Sequence, residues 1–360
     1  MNQYKKGIKK HILNLPMGES VILPAARFVF RYPRHLLYRF KKQLAEQREV
    51  KYLLERLRAD DFSEAVIVYD LLVSPQNYGV VFYMVMFAKY FLLKGKKIVF
   101  VIINSEFRDD WDVLNKAERV NLVENFLKLP KVLLDNSAMV DIRLMPWDQF
   151  AVYFGQNETA LVPFYKRISK RERIYPFIFN ITNSLVSFED ADFIDRFLLS
   201  CDDIISSINV SIPDKRYITW QARFSDKWAI NRNCNEDEFI RIYASLKTIY
   251  PDHLIMLVSD QIGCEYFKRL LNEHNLKLLF SKDFSNTFMG DVALILGSDY
   301  YFQLKGGGIG AAVIYSKIPY GMIYLLDHEK EWKKGRLAPW STNKQIIKIG
   351  NIGIPDDVRT

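Results

Sequence analysis

The sequence predicts an α/β protein of two Rossmann-like lobes, each built on a parallel sheet, behind a basic helical N-terminal segment. Strand, loop, helix and strand follow one another between residues 65 and 103, the order of a right-handed parallel crossover. A comparable alternation of strands and helices recurs from 217 to 325. The chain of 360 residues, 49% apolar and 26% charged, has the length and composition of two folded domains with their own cores. The expected organisation is a basic amphipathic segment at 1–58, an N-terminal lobe at 59–211, a C-terminal lobe at 212–330 and an extension at 331–360 that packs back on the body.

The elements are justified in order. Residues 65–69, Ala-Val-Ile-Val-Tyr, form a continuous apolar run suited to a strand buried on both faces. Residues 74–79 form a turn-rich loop, 80–93 a helix ended by Lys94 and Gly95, and 98–103 the next strand. The middle contains amphipathic helical stretches at 118–129 and 190–199, a basic loop at 166–171, and a run at 174–181 with strand-like composition. Further on, 217–220 is a short strand, and Asn235 with Glu238 makes a capping-box start for a helix whose apolar face is Phe239, Ile242, Tyr243, Leu246 and Ile249. A strand at 254–258, a helix at 263–275 and a strand at 276–280 follow. Residues 283–296 read as a helix and a strand in succession, then come a strand at 300–304, a glycine loop, a helix at 309–316 and a strand at 320–325.

Charge is unevenly placed. Of a net +8, residues 1–58 carry +10 and the remainder −2, unlike a uniformly basic nucleic-acid binder. The run from Arg27 to Lys42 interleaves cations with Phe28, Phe30, Tyr32, Leu36, Leu37, Tyr38 and Phe40. Such a segment suits an anionic membrane surface; a helix packed on the body with solvated cations is the alternative. The apolar run at 79–93 is shorter than a bilayer span needs and contains Lys89. Three scattered cysteines (Cys201, Cys234, Cys264) suggest neither a disulfide framework nor a zinc site, and with no secretory signal a cytoplasmic setting is expected. None of the five histidines sits in a metal-spaced pair, and no nucleophile elbow is present.

Two segments carry the chemistry. A strand ending at Trp220 empties into a loop with Gln221, Arg223, Asp226 and Lys227, which places cations at the carboxyl edge of a sheet, where open α/β folds bind ligands. Arginine grips a diphosphate with two parallel hydrogen bonds, and lysine adds a point charge. Arg232 and Asn233 lie just outside the following helix, within reach of a nucleotide or sugar; Asn235 itself reads as a cap. The second segment, Lys305, Gly306, Gly307 and Gly308, joins a strand to a helix, so the backbone and a helix N-terminus can approach a phosphate. No Gly-Lys-Ser/Thr follows, which excludes a P-loop, and the alanine-ended dinucleotide fingerprint is matched only loosely. Both segments also have bland readings, a solvated loop and a tight turn. Asp109, Asp110 and Asp112 admit a divalent-metal reading or, more simply, an acidic helix start. Asp70 at the first strand end is a candidate general base.

Together these pieces resemble the donor domain of the GT-B glycosyltransferases, most closely the fucosyltransferase-like superfamily and bacterial surface-polysaccharide glycosyltransferases. Gln221-x-Arg223-x-x-Asp226-Lys227 matches the family's His-x-Arg-x-x-Asp-Lys segment, whose arginine contacts the donor diphosphate. Ser259-Asp260 matches its Thr/Ser-Asp strand end, and Lys305 to Gly308 its small-residue loop. Gln221 stands for the family's histidine, Phe224 for a frequent basic residue, and glycines for the serine of the last loop. The resemblance spans 216–325 and implies a metal-independent transferase needing no cofactor. It would move a sugar from a nucleotide-sugar donor, held by the C-terminal lobe, to a glycan or lipid-linked acceptor in surface-polysaccharide synthesis. The N-terminal lobe, with Ser74, Tyr78 and Gly79, would present the acceptor. The alternatives are a non-catalytic, glycosyltransferase-like scaffold of a polysaccharide assembly complex and a sugar-nucleotide epimerase.

Overall fold

A computed structural model describes residues 33–134, 138–156, 160–226, 230, 233–304, 308–325 and 344–349. The chain divides into two compact units, Met1–Asp61 and Phe62–Thr360. In the first, α1 (Pro33–Ala59) ends with Arg56 and Arg58 in its last turn, where cations favour the helix dipole. Lys51 and Glu55 pair at i,i+4 on its exposed face, 3.7 Å apart. The stretch 27–32 of the basic, aromatic run lies outside the described residues. No helix among the described residues is long and apolar enough to cross a membrane.

The second unit holds two parallel sheets. In the first sheet, β1 (Glu64–Asp70), β2 (Lys97–Ile103) and β3 (Val140–Met145) lie in that order. The Val/Ile runs of β1 and β2 are buried along nearly their whole length, as a strand covered on both faces requires. The crossover from β1 to β2 is α2 (Tyr78–Leu93), started by the Asn77 side chain accepting from the Gly79 N–H and followed by Gly95 at φ +74°. The crossover from β2 to β3 is α3 (Lys116–Leu133), opened by a reciprocal Asn115–Glu118 box. β3 was not foreseen: it is a half-exposed edge strand in which Asp141 and Arg143 pair with each other, so it lacks the long apolar run of its neighbours.

Helices α4 (Trp147–Gln156), α5 (Tyr165–Ile168), α6 (Tyr175–Val186), α7 (Ala191–Phe197) and α8 (Cys201–Ile205) follow. α6 corrects the strand-like reading of 174–181. Ile174, Ile178, Ile181 and Leu185 are all buried and fall on one helical stripe, with Pro176 in the first turn where it is tolerated.

The second sheet has the order β6-β5-β4-β7-β8-β9, every pairing parallel. Its strands are β4 (Tyr217–Gln221), β5 (Leu254–Val258), β6 (Leu279–Phe280), β7 (Tyr301–Leu304), β8 (Tyr320–Leu325) and β9 (Lys344–Ile349), the last drawn from the C-terminal extension. They alternate with α9 (Glu236–Ile249), α10 (Gln261–Glu273), α11 (Phe288–Leu296) and α12 (Gly310–Ile314). The capping box of α9 forms as expected. Two readings are corrected. The strand expected at 276–280 is only the two residues of β6. Residues 283–296 hold one helix, α11, rather than a helix and a strand. Residues Met289 to Ile295 of α11 are all buried, and burial all round erases the periodicity that would have marked a helix.

The two faces of this sheet differ. Trp220 and Phe302 point to one side, where Trp220 stacks on Phe239 at 5.0 Å and Phe239 on Phe267 at 4.9 Å. Tyr217 faces the other side, toward α11, and its hydroxyl donates to the Leu294 carbonyl at 2.7 Å. By strand alternation Thr219 and Gln221 share that side, and the register sets them beside Tyr301 and Gln303 of β7. This polar strip leads up to the carboxyl edge.

Candidate functional site

The carboxyl edge of the six-stranded sheet gathers most of the expected donor-side residues. The loop after β4 is folded back on itself. The Cys234 N–H donates to the Arg223 carbonyl at 2.8 Å, and the Asn233 side chain both accepts from the Ser225 N–H at 2.9 Å and donates to the Ser225 carbonyl at 2.8 Å. Phe224 stacks on Tyr266 of α10 at 3.9 Å. Arg223 is half-buried in this closed loop and Asp226 is exposed at its rim. Lys227 and Arg232 lie outside the described residues.

Several of these side chains are already engaged. Asn233, expected to reach the nucleotide, uses both ends of its amide to close the loop. Gln221 is buried, and its side-chain oxygen accepts from the Tyr301 hydroxyl at 2.9 Å. Asp260 caps α10 by accepting from the Gly263 N–H at 2.8 Å. Ser259 lies against the same turn, since a Cβ on Gly263 would fall 2.1 Å from its Oγ. The glycine is needed for that close approach.

One polar cluster escaped the sequence reading. Lys282, just after β6, pairs with Asp291 in the first turns of α11 at 2.5 Å, beside the fully buried Ser281. Burial pushes the Asp291 carboxyl up to about 6, against the pull of the Lys282 ammonium. The only local signal was an aspartate interrupting the run from Phe288 to Leu296. An acid that binds its proton more tightly in the fold lowers stability as pH rises through the window from its ordinary value to the raised one. The contribution of Asp291 is therefore expected to fall by ~3 kcal/mol between about pH 4 and about pH 6. Asp291→Asn should remove that slope when urea unfolding is compared across this range. An unchanged slope would show that Asp291 titrates normally.

At the three-stranded sheet, one arginine ties all three carboxyl ends. Arg171 donates to both oxygens of Asp70, at the end of β1, from Nε at 2.9 Å and Nη2 at 3.1 Å. It also donates to Glu106, after β2, at 2.7 Å, and its guanidinium lies 4.9 Å over the ring of Trp147, after β3. The Leu72 N–H adds a third bond to Asp70 at 3.0 Å. Both oxygens of Asp70 are thus engaged, and the residue expected as general base shapes this edge rather than standing open to a hydroxyl.

The loop expected on the acceptor side meets the second sheet's glycine loop. Ser74 is buried, its N–H donating to the Asp70 carbonyl at 2.8 Å and its carbonyl accepting from Trp111 Nε1 at 3.2 Å. Tyr78 stacks on Phe288 of α11 at 4.1 Å, and burial pushes its hydroxyl up to about 12. A Cβ on Gly79 would sit 3.0 Å from the Cα and the carbonyl oxygen of Gly308; Lys305, Gly306 and Gly307 lie outside the described residues. Backbone cannot yield as a side chain does, so Gly79→Ala is expected to cost ~1–3 kcal/mol, read as a lowered urea midpoint. An unchanged midpoint would mean that the two lobes do not pack this tightly.

Asp109–Trp111 is a single 3₁₀ turn; Asp110 pairs with Arg108 at 3.0 Å and Asp112 with Arg119 at 2.9 Å. Among the described residues the one group with ligand atoms close enough to share an ion is Glu236, Glu273 and His274, where α9 begins and α10 ends.

No family model matches the chain, and no curated protein matches it. Among solved structures it is similar to a glycosyl transferase family 9 protein from Veillonella parvula DSM 2008, with 10% identity, a TM-score of 0.41, and coverage of 80% of this chain and 86% of that one. It is similar to the E. coli heptosyltransferase WaaC with ADP at 12% identity and a TM-score of 0.43, covering 79% and 93%. It is also similar to the E. coli ADP-heptose lps heptosyltransferase II at 9% identity and a TM-score of 0.41, covering 79% and 90%.

Proposed function

We propose that this chain is a glycosyltransferase that moves a sugar from a nucleotide-sugar donor to a glycan or lipid-linked acceptor in surface-polysaccharide synthesis. One observation carries the reading. The carboxyl edge of a six-stranded parallel sheet presents Arg223 and Ser259 on strand-end loops, and Gly308 of the same lobe touches the α2 N-terminus of the other lobe. A parallel sheet's carboxyl edge is where such folds hold nucleotides.

In this reading Arg223 and Lys227 offset the charge that develops on the departing diphosphate, an electrostatic effect of several kcal/mol. Ser259 and the loop Gly306–Gly308 line the donor, and the segment with Ser74, Tyr78 and Gly79 borders the acceptor. The nucleotide-sugar is a substrate, and neither a cofactor nor a divalent metal is required. Activity should then survive EDTA; abolition by EDTA with rescue by Mg²⁺ or Mn²⁺ would refute metal independence. The basic segment 1–58 serves as a peripheral dock on the cytoplasmic face of the membrane, and removing residues 1–42 should abolish co-sedimentation with anionic vesicles.

A thermal-shift screen against GDP-, UDP-, CMP- and ADP-sugars tests the reading. A donor at about 100 times its Kd adds ~2.7 kcal/mol of stability. No shift with any of the four classes counts against it. The engagement of Asp70 with Arg171 and of Gln221 with Tyr301 favours a second reading, a non-catalytic scaffold. A scaffold would turn over no donor in the presence of acceptor.

A further inference from the structure

We propose that the basic turn at 166–173 is a phosphate-binding surface for the acceptor, so that the acceptor is a phosphorylated sugar or a phosphate-bearing lipid. The proposal rests on the glycosyltransferase reading for the word acceptor alone; the phosphate site stands on the turn itself.

The turn is built rather than loose. Two non-glycine residues with left-handed backbone shape it, Phe164 just before it at φ 62° and Arg171 within it at φ 51°. Such conformations persist only where the surroundings enforce them. Backbone bonds close it: Ser169 N–H to the Tyr165 carbonyl at 2.8 Å, Arg171 N–H to Ile168 at 2.9 Å, and Glu172 N–H to Arg167 at 2.7 Å. Ile168 and Arg167 are buried, and the Arg167 guanidinium lies 4.7 Å over the ring of Phe177.

The five cations of this stretch divide into two sets. Arg167 pairs with Glu172 at 3.6 Å, and Arg171 with Asp70 and Glu106. Arg167 ties the turn to itself, and Arg171 holds it against the carboxyl edge of the three-stranded sheet. Lys166, Lys170 and Arg173 are exposed and make no ion pair among the described residues. Two of them flank Arg171, so they stand beside the edge where the acceptor is read to enter.

Three cations on a fixed turn suit a compact dianion. Lysine supplies point charge and arginine a planar fork matched to phosphate oxygens. Because the backbone is already ordered, binding loses little conformational freedom. A nucleic acid would need a broader basic stripe, and the chain beyond residue 58 carries a net −2.

The test compares the full chain with Lys166→Ala/Lys170→Ala/Arg173→Ala, which touches only exposed side chains. The probes, both by calorimetry, are glucose 6-phosphate and monomeric dihexanoyl phosphatidic acid, which offers a lipid headgroup without the vesicle surface assigned to residues 1–58. The triple variant is expected to bind the phosphate probe about tenfold more weakly at low salt. A loss seen with glucose 6-phosphate identifies a soluble phosphate, and a loss confined to the short-chain phosphatidic acid identifies a lipid headgroup. Equal binding of both probes by the two proteins overturns the proposal, as does weakening by Arg223→Ala but not by the triple variant. The nucleotide-sugar shift is recorded on both proteins. Its absence from both refutes the transferase reading, while the comparison of the phosphate probes still decides this one.

Discussion

Arg223→Ala is expected to lower turnover by ~100-fold or more while leaving the chain folded. Arg223 sits in a loop that is closed in part by its backbone and by its neighbours. The Arg223 carbonyl takes the Cys234 N–H, Asn233 clamps Ser225, and Phe224 is stacked on Tyr266. Those contacts remain when the guanidinium is removed, and charge is lost from the proposed diphosphate subsite. The loss should appear in kcat as well as kcat/KM, because the charge on the leaving group grows toward the transition state. Steady-state rates of nucleoside diphosphate release measure it. Undiminished activity would move the diphosphate away from this loop.

The largest stability effect is expected at the other sheet. Arg171→Leu should lower the unfolding free energy by ~3–5 kcal/mol, because it strands the buried Asp70 carboxylate. Asp70 has 8% of its side-chain surface exposed and Arg171 16%, so water cannot replace the lost partner. Asp70→Leu/Arg171→Leu should recover most of the loss, since an apolar pair carries no unpaired charge. Urea unfolding of the three proteins decides it. If the single variant is as stable as the parent, Arg171 does not fasten the strand ends, and Asp70 returns as a candidate base.

These two arginines also mark what the sequence made legible. Features carried by a continuous apolar run, or by a helix end a few residues long, could be read. The Val/Ile runs of β1 and β2, the end of α2 at Lys94 and Gly95, and the box between Asn235 and Glu238 depend on residues within a few positions of one another. The loop that carries Arg223 after β4 was readable as a strand-end loop for the same reason. The missed features rest on distant partners. Asp70 is joined to Arg171 across 101 positions, and Gln221 to Tyr301 across 80. No local pattern announces such bonds, so the partners of Asp70 and Gln221 could not be read. α6 and α11 were obscured by their own apolarity: an aromatic, β-branched helix start and a helix buried all round both imitate strands.

The central claim is that the carboxyl edge around Arg223 holds a nucleoside diphosphate joined to a sugar. Calorimetric titration of the wild-type chain and of Arg223→Ala with the best nucleotide-sugar of the thermal screen tests it most directly. The account predicts saturable binding to one site in the wild type, at least about tenfold weaker in the variant, where a charge-assisted bidentate contact is gone. Equal affinity in the two proteins, or no binding by a folded wild type to any of the four nucleotide classes, would contradict it.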